Sequence, residues 1–258
     1  MRFVVPALSV LLLAGCAFDR TLDGTVTPRE PAAAARPAAA ADTPCVDGAV
    51  RKAGSGRRSL AAVVEQRAVA YRKPGGEPIE SFGAMNVNDV PTVLGVLGRR
   101  VDERCRTTWY RVQLPLRPNG STGWVRAGDV TIWRVTTRIE VDLSERRVTL
   151  FDRGRPVHTA RAAIGSSGTP TPTGRYYVNQ RLRPTDTSGP FGPGAIGISA
   201  FSNVLTGWAQ GGPIAIHGTN RPDLIGQAVS NGCIRVANDD IRVLFDRVLA
   251  GTPVLVSA

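Results

Sequence analysis

Histidine, lysine and long apolar runs are scarce in this chain of 258 residues, and each shortage narrows what the protein can be. The two histidines, His158 and His217, stand far apart and outside any ligand cluster, which argues against a zinc site. The apolar run over residues 3–13 is too short to cross a bilayer. The formal charge of +11 rests almost entirely on arginines, which are dispersed and belong to no nucleic-acid recognition motif. We therefore expect no metal, no other cofactor and no nucleic acid partner.

The first residues have the layout of an export signal. Met1-Arg2, the apolar run and then Leu13-Ala14-Gly15-Cys16 resemble the signal and lipobox of bacterial lipoproteins. That resemblance implies a signal peptide over residues 1–15 and a lipid on Cys16, which anchors the exported protein at the cell envelope. The alternative is ordinary signal cleavage near Ala14 or Ala17. Residues 16–44 are rich in Ala and Pro and show no apolar periodicity, so they indicate an extended tether.

A nucleophile and a base stand close together near the end of the chain. His217-Gly218-Thr219-Asn220 precedes Ser230-Asn231-Gly232-Cys233-Ile234-Arg235. A thiolate is the working form of a catalytic cysteine, and a free thiol is only a few per cent ionised at neutral pH, so it needs a base or a cation nearby. Gly232 allows a tight turn that aims backbone N–H groups at a reacting carbonyl. A buried structural thiol with a core histidine is the alternative.

The order and surroundings of these residues resemble the L,D-transpeptidase (YkuD) family, in which a His-Gly motif precedes Ser-x-Gly-Cys-x-Arg. The resemblance implies that Cys233 attacks the carbonyl after the third residue of a cell-wall stem peptide, releasing D-alanine and leaving a thioester. An amine of a neighbouring stem then forms a 3→3 crosslink. His217 is the implied base and later acid, and backbone N–H groups near Gly232 and Cys233 form the implied oxyanion hole. Some members orient the histidine with a following serine; Gly218 leaves only a backbone carbonyl for that task.

The remaining motif residues are expected around the substrate. Ser230 donates a hydrogen bond in the site or holds the turn before Gly232. Arg235 meets a substrate carboxylate or fixes its loop through a protein acid. Thr219 and Asn220 are expected in the cleft wall, and Asn231 beside the substrate.

Two other functions remain open from the sequence. The same site could use water as the acceptor and act as an L,D-carboxypeptidase, because acceptor choice depends on the shape of the cleft. Alternatively, the chain could be a wall-binding lipoprotein whose catalytic domain is idle.

Two domains are expected, and both are mainly β. Residues 45–134 contain Trp109-Tyr110-Arg111-Val112, an Asn119-Gly120 turn and Gly123-Trp124-Val125, which resemble the end of a bacterial SH3-like small β-barrel. Trp109 and Trp124 form either a binding face or part of the core. Residues 135–258 match the YkuD pattern from about Ile139 onward. The resemblance implies a β-sandwich catalytic domain with one helix in its C-terminal half.

Several elements of the second domain are predicted from pattern. A β-hairpin is expected over residues 139–150, and a strand over residues 213–216 delivers His217. Residues 179–212, rich in Gly, Pro and Ser, are expected to form one long loop facing the substrate. A helix is expected to begin with Asn238 as its N-cap, to place Ile241, Leu244, Phe245, Val248 and Leu249 on one face, and to end near Gly251. His158 is interpreted as structural.

Cys45 and Cys105 remain after Cys16 and Cys233 have been assigned. Outside the cytoplasm they can form a disulfide closing a loop of about sixty residues, worth roughly 4 kcal/mol in the loop-entropy treatment. Two separate reduced thiols are the alternative.

Overall fold

β-strands dominate the chain, and the mainly-β prediction is confirmed. The computed structural model of the chain describes residues 45–55 and 57–258, so the expected signal peptide, the lipidation at Cys16 and the tether lie outside the described residues. Within those ranges, no helix has the length and apolar character needed to cross a membrane. Pro44–Ala258 forms one compact unit.

The first half of this unit is built on one sheet with its own core. Its strands are β1 (Val50–Lys52), β2 (Ser59–Val64), β3 (Arg67–Tyr71), β4 (Pro78–Gly83), β5 (Val93–Val101), β6 (Thr107–Gln113), β7 (Thr122–Arg126) and β8 (Val130–Val135). They lie in the order β4-β3-β7-β6-β5-β2-β8, with β1 paired to β5. Leu94, Val112 and Leu114 are fully buried in this core. The interpretation of this half as an SH3-like domain stays a prediction.

The second half is a nine-stranded sheet that folds back on itself. Its strands are β9 (Thr137–Asp142), β10 (Arg147–Asp152), β11 (Arg155–Gly165), β12 (Gly174–Leu182), β13 (Ala195–Phe201), β14 (Pro213–His217), β15 (Ala228–Ser230), β16 (Ile234–Val236) and β17 (Pro253–Ser257). The order is β10-β9-β17-β12-β13-β14-β16-β11-β15, and β10 also pairs with β11. That extra pairing wraps the sheet around a second core. The expected hairpin is β9 with β10, in antiparallel register.

The single α-helix among the described residues packs onto this second core, but its start differs from the prediction. The helix α1 spans Asn238–Arg247 and buries Ile241, Leu244 and Phe245. Its N-cap is Ala237, and no side chain caps it, so the assignment of Asn238 as the cap was wrong. The Asn238 amide instead binds another segment. Leu249 follows the helix and is 44% exposed, so it does not belong to the buried face.

The prediction of one long loop over residues 179–212 was also wrong, because the segment contains the end of one strand and the whole of another. The strand β12 continues to Leu182, and β13 (Ala195–Phe201) follows with six consecutive buried residues. A central strand that is buried on both faces shows no alternation of polar and apolar residues, and Gly197 adds a loop-like signal. Two shorter loops, residues 183–194 and 202–212, remain.

Loops of the first sheet hold the second of these loops in place. The Arg117 guanidinium donates to the carbonyl oxygens of Ser202 at 2.7 Å and Gly211 at 2.6 Å. The Asn119 side chain exchanges two hydrogen bonds of 2.8 Å with the backbone of Phe201. The loop that leads into β14 is therefore fixed by residues from the other half of the unit.

A disulfide joins Cys45 to Cys105, with Cα atoms 5.3 Å apart. It ties the first described residue to the segment between β5 and β6. Cys233 is the free cysteine of the described chain.

Candidate active site

Two neighbouring parallel strands, β14 and β16, place the candidate base His217 and the candidate nucleophile Cys233. In their register Ile216 lies opposite Ile234, and His217 lies opposite Arg235. Side chains alternate along a strand, and the core takes Ile214, Ile216 and Ile234. His217 and Cys233 therefore point to the other face, one at the end of β14 and one immediately before β16.

The imidazole of His217 is held by the residue that follows it. Its Nδ1 lies 2.6 Å from the carbonyl oxygen of Gly218. A carbonyl only accepts hydrogen bonds, so Nδ1 carries the proton and Nε2 keeps the lone pair. The ring of Phe191, from the loop before β13, packs edge-on against the imidazole with centroids 4.9 Å apart. Orientation by the Gly218 carbonyl leaves Nε2 as the basic nitrogen.

His217 is neutral at physiological pH. The side chain is 3% exposed, and this burial lowers its pKa from 6.5 to about 4. The Gly218 carbonyl opposes the shift, and the positive charge of Arg235 adds to it. A neutral imidazole with a free Nε2 can accept a proton from a thiol.

Cys233 is a protonated thiol in this resting arrangement. Burial raises its pKa above the ordinary range, while the backbone N–H of Ala215 and the charge of Arg235 act in the opposite direction. The sulfur lies 4.0 Å from the carbonyl oxygen of Pro213. The sequence-based expectation that the surroundings would favour the thiolate is therefore not met before substrate arrives. A protonated thiol that attacks a carbonyl must pass its proton to a base during the attack.

The turn before Cys233 needs glycine and is held by Ser230. Gly232 has a φ of +107°, and a Cβ there would lie 2.9 Å from Cδ1 of Ile214. The Ser230 hydroxyl donates to the Cys233 carbonyl at 2.5 Å and accepts from the Gly232 N–H at 3.1 Å. Of the two roles left open for Ser230, the structure has the serine holding the turn.

Two threonines from the Gly165–Gly174 connection support the same turn. The Thr171 hydroxyl donates to the Gly232 carbonyl and accepts from the Gly165 N–H, both at 2.9 Å. The Thr169 hydroxyl donates to the Ser230 carbonyl at 2.9 Å. Both threonines lie about sixty residues before the cysteine loop, so no local sequence pattern predicts these contacts.

Asn238, assigned to a helix cap from the sequence, instead fixes the segment after His217. Its Oδ1 accepts from the backbone N–H of Thr219 at 2.8 Å. Gly192 and Gly218 pass so close to this amide oxygen that a Cβ on either would collide with it. The Asn238 amide thus packs the Phe191 loop onto the histidine segment. No local sequence signal distinguishes this role from capping, because both use the same acceptor atom.

The other expected site residues divide between structural and exposed positions. Thr219 is buried, and its hydroxyl accepts from the Arg221 N–H at 2.9 Å. Asn220 and Asn231 are exposed. Arg235 is half-buried, and its Nε is buried without a hydrogen-bond partner in the described residues. No group of three or more His, Cys, Asp or Glu side chains suited to a metal occurs in residues 45–55 and 57–258.

His158 lies away from this site. Its Nε2 is 2.9 Å from Oδ1 of Asp240 on α1, which fits the structural interpretation.

The burial of His217 predicts a loss of stability in mild acid. The unfolded histidine takes up a proton near pH 6.5, whereas the folded one resists protonation down to about pH 4. The effect of His217 on the free energy of unfolding is therefore absent above pH 6.5. As the pH drops toward 4, protonation of the unfolded histidine lowers the free energy of unfolding by about 3 kcal/mol. Urea unfolding of the wild type and of His217→Gln at pH 7 and pH 4.5 measures this. The wild type should lose more stability than the variant over this interval, and equal losses would contradict the lowered pKa.

Comparison with known proteins bears on the same region. The model of the YkuD L,D-transpeptidase catalytic domain matches residues 136–256. The YkuD protein of Bacillus licheniformis is 38% identical over 160 residues, which cover 59% of this chain and 88% of that protein. The YkuD protein of Bacillus subtilis is 34% identical over 125 residues, covering 48% and 68% respectively.

A solved structure gives a weaker likeness. The catalytic domain of an L,D-transpeptidase from E. faecium is 27% identical, with a TM-score of 0.35. The match covers 47% of this chain and 96% of that domain.

Proposed function

Because this chain belongs to the YkuD family of L,D-transpeptidases, we propose that it joins peptidoglycan stem peptides by 3→3 crosslinks through a thioester on Cys233. One observation carries the mechanism. A buried imidazole, with Nδ1–H tied to the Gly218 carbonyl, lies on the same strand face as the thiol. The enzyme is a transferase, and in this mechanism the base ends β14 while the nucleophile immediately precedes the neighbouring parallel strand β16.

In the first step the Cys233 sulfur attacks the carbonyl carbon of the third stem residue, the carbonyl that is bonded to D-alanine. The C–S bond forms while the thiol proton passes to Nε2 of His217. The tetrahedral intermediate then collapses, the bond to D-alanine breaks, and His217 returns the proton to the leaving amine. The lowered pKa of His217 favours this return, because an imidazolium with a low pKa is a strong proton donor.

The negative oxygen of the intermediate needs hydrogen-bond donors. The Gly232 N–H already donates to the Ser230 hydroxyl, so we assign the oxyanion to the backbone N–H of Cys233. The positive charge of Arg235 is close enough to lower the pKa of Cys233, and it would stabilise the same negative charge or a substrate carboxylate.

In the second step an amine of a neighbouring stem attacks the thioester. His217 removes a proton from this amine, the amide bond forms, and the thiol of Cys233 is restored. Water in place of the amine would release a tripeptide, which is the carboxypeptidase reaction.

We also propose that the protein acts at the cell envelope, held there by a lipid on Cys16. The support is the Leu13-Ala14-Gly15-Cys16 sequence after an apolar run and before the Ala- and Pro-rich tether.

Product analysis tests the reaction. Residues 45–258 are incubated with a disaccharide-tetrapeptide, and both the products and the intact protein are weighed by mass spectrometry. We expect a dimer lacking one D-alanine, and a protein adduct equal to the donor minus D-alanine. A disaccharide-tripeptide is the matched control, because it has no D-alanine to release and gives neither species when supplied alone.

The outcomes separate the candidates. Loss of D-alanine without dimer would assign carboxypeptidase activity in place of crosslinking. Absence of both adduct and product from the folded protein would contradict the proposal.

A further inference from the structure

A groove of about 470 Å³ lies between the two halves of the compact unit, beside the catalytic strand β14. Its walls come from the segment around residues 81–93, from Pro115 and Leu116, and from β12, Phe201, Gln210 and Pro213. No residue that lines it within the described chain carries a charge. Its size is that of small-molecule sites, which combine apolar walls with a few polar groups.

Interlocked amides form one wall of the groove. The Oε1 of Gln180 accepts from Asn86 at 3.1 Å and from Asn88 at 2.8 Å. The amide of Gln210 donates to Oδ1 of Asn88 at 3.0 Å. These bonds connect the first sheet's loop to β12 and to the loop before β14, so the wall is built before any ligand binds.

One acceptor on a residue that lines the groove has no hydrogen-bond partner among the described residues. The Oδ1 of Asn179 is buried and makes no hydrogen bond within the described residues. A buried polar atom without a partner is costly, and a ligand N–H or O–H removes that cost.

The lining of the groove also includes exposed apolar side chains. Met85 is 51% exposed and Val87 is 80% exposed, and both line the groove together with Phe82. A groove lined by both exposed apolar side chains and amide groups suits a ligand that has an apolar ring face and hydrogen-bonding edges.

The groove adjoins the nucleophile. Pro213 lines the groove, and its carbonyl oxygen lies 4.0 Å from the Cys233 sulfur. A group bound here is therefore connected to the reacting centre through a single residue of β14.

We propose that this groove binds a neutral N-acetylated sugar of the glycan strand that carries the stem peptide. The proposal rests on the function proposed above. Sugar hydroxyl and acetamido groups match the amide wall, while the ring faces match the apolar wall. A stem peptide is the less suitable occupant, because its carboxylates would find no cation in an uncharged groove. The first half of the unit thus contributes directly to substrate selection.

Binding of a neutral sugar tests this inference separately from catalysis. The dissociation constant of chitotetraose, a tetramer of N-acetylglucosamine, is measured by titration calorimetry with the purified protein. Asn179→Leu keeps the side-chain size and removes the acceptor, so we expect about a tenfold rise in the dissociation constant. Val87→Asp, at an exposed position, should weaken binding by a similar factor without disturbing the core. Val50→Asp is the matched control, since Val50 is 61% exposed on β1, outside the groove.

A kinetic comparison gives a second measurement. With a disaccharide-tetrapeptide donor, the groove variants should raise KM and leave kcat unchanged, whereas with the free tetrapeptide they should change neither. Sugar binding needs no thiol, so it survives even if the crosslinking reaction is not found. The inference is overturned if chitotetraose fails to bind, or if Val87→Asp and Val50→Asp affect binding equally. It is also overturned if the groove variants weaken binding of the free tetrapeptide to Cys233→Ala, since the occupant would then be the peptide.

Discussion

Replacing Cys233 by alanine is expected to remove the thioester adduct and to reduce crosslinking by roughly 10⁴- to 10⁶-fold, the range seen when a covalent nucleophile is deleted. The physical reason is that no other free thiol lies in the described residues, and in the proposed mechanism the sulfur is the atom that bonds to the substrate carbonyl. The His217 imidazole and the Cys233 backbone N–H remain in the variant. The residual rate therefore measures what base and oxyanion stabilisation achieve without covalent chemistry.

Intact-protein mass and the rate of dimer formation measure this loss. Val229→Ala is a suitable control, because Val229 lies on β15, just before the turn that leads to Cys233, and is 40% exposed. It should change the rate by no more than a few-fold. Crosslinking by Cys233→Ala within tenfold of the wild type would place the nucleophile elsewhere.

Replacing His217 by glutamine is expected to lower the rate of thioester formation by about 10²- to 10⁴-fold, the usual contribution of a positioned base. Burial keeps Cys233 protonated, so attack requires a group that takes the proton at that moment. Glutamine fills similar space but offers no basic nitrogen. The thiol itself should remain titratable in the unfolded variant, which separates loss of the base from loss of the cysteine.

Single-turnover mass spectrometry of the adduct gives the rate, and circular dichroism at pH 7 checks the fold. An adduct rate for folded His217→Gln close to that of the wild type would show that the thiol ionises without this histidine. The neutral thiol and imidazole pair described above would then be wrong.

Local sequence patterns were sufficient to predict several secondary-structure elements in the second half of the molecule. Alternating apolar residues marked the β9–β10 hairpin, and the apolar run at residues 213–216 correctly placed His217 at the end of a strand. The spacing of Ile241, Leu244 and Phe245 marked the buried side of α1. These signals are readable because each element buries one face, and the periodicity of that face is written into consecutive residues.

Where one face is not distinguished from the other, the pattern fails. The strand β13 is buried on both sides and carries Gly197, so it resembled part of a loop. The role of Asn238 was missed for a related reason. An amide oxygen near a helix start can accept from the helix or from a distant N–H, and only the approach of Thr219 decides between them.

By itself, the sequence predicted His217, Gly232 and Cys233 as the residues that carry the chemistry, because their types and spacing are local properties of the chain. Tertiary structure alone decided their state. Burial lowers the pKa of the imidazole and raises that of the thiol. The packing of Phe191 and the amide-lined groove likewise come from segments far apart in the chain. Desolvation and contact depend on what surrounds a group in space, and no one-dimensional pattern contains that information.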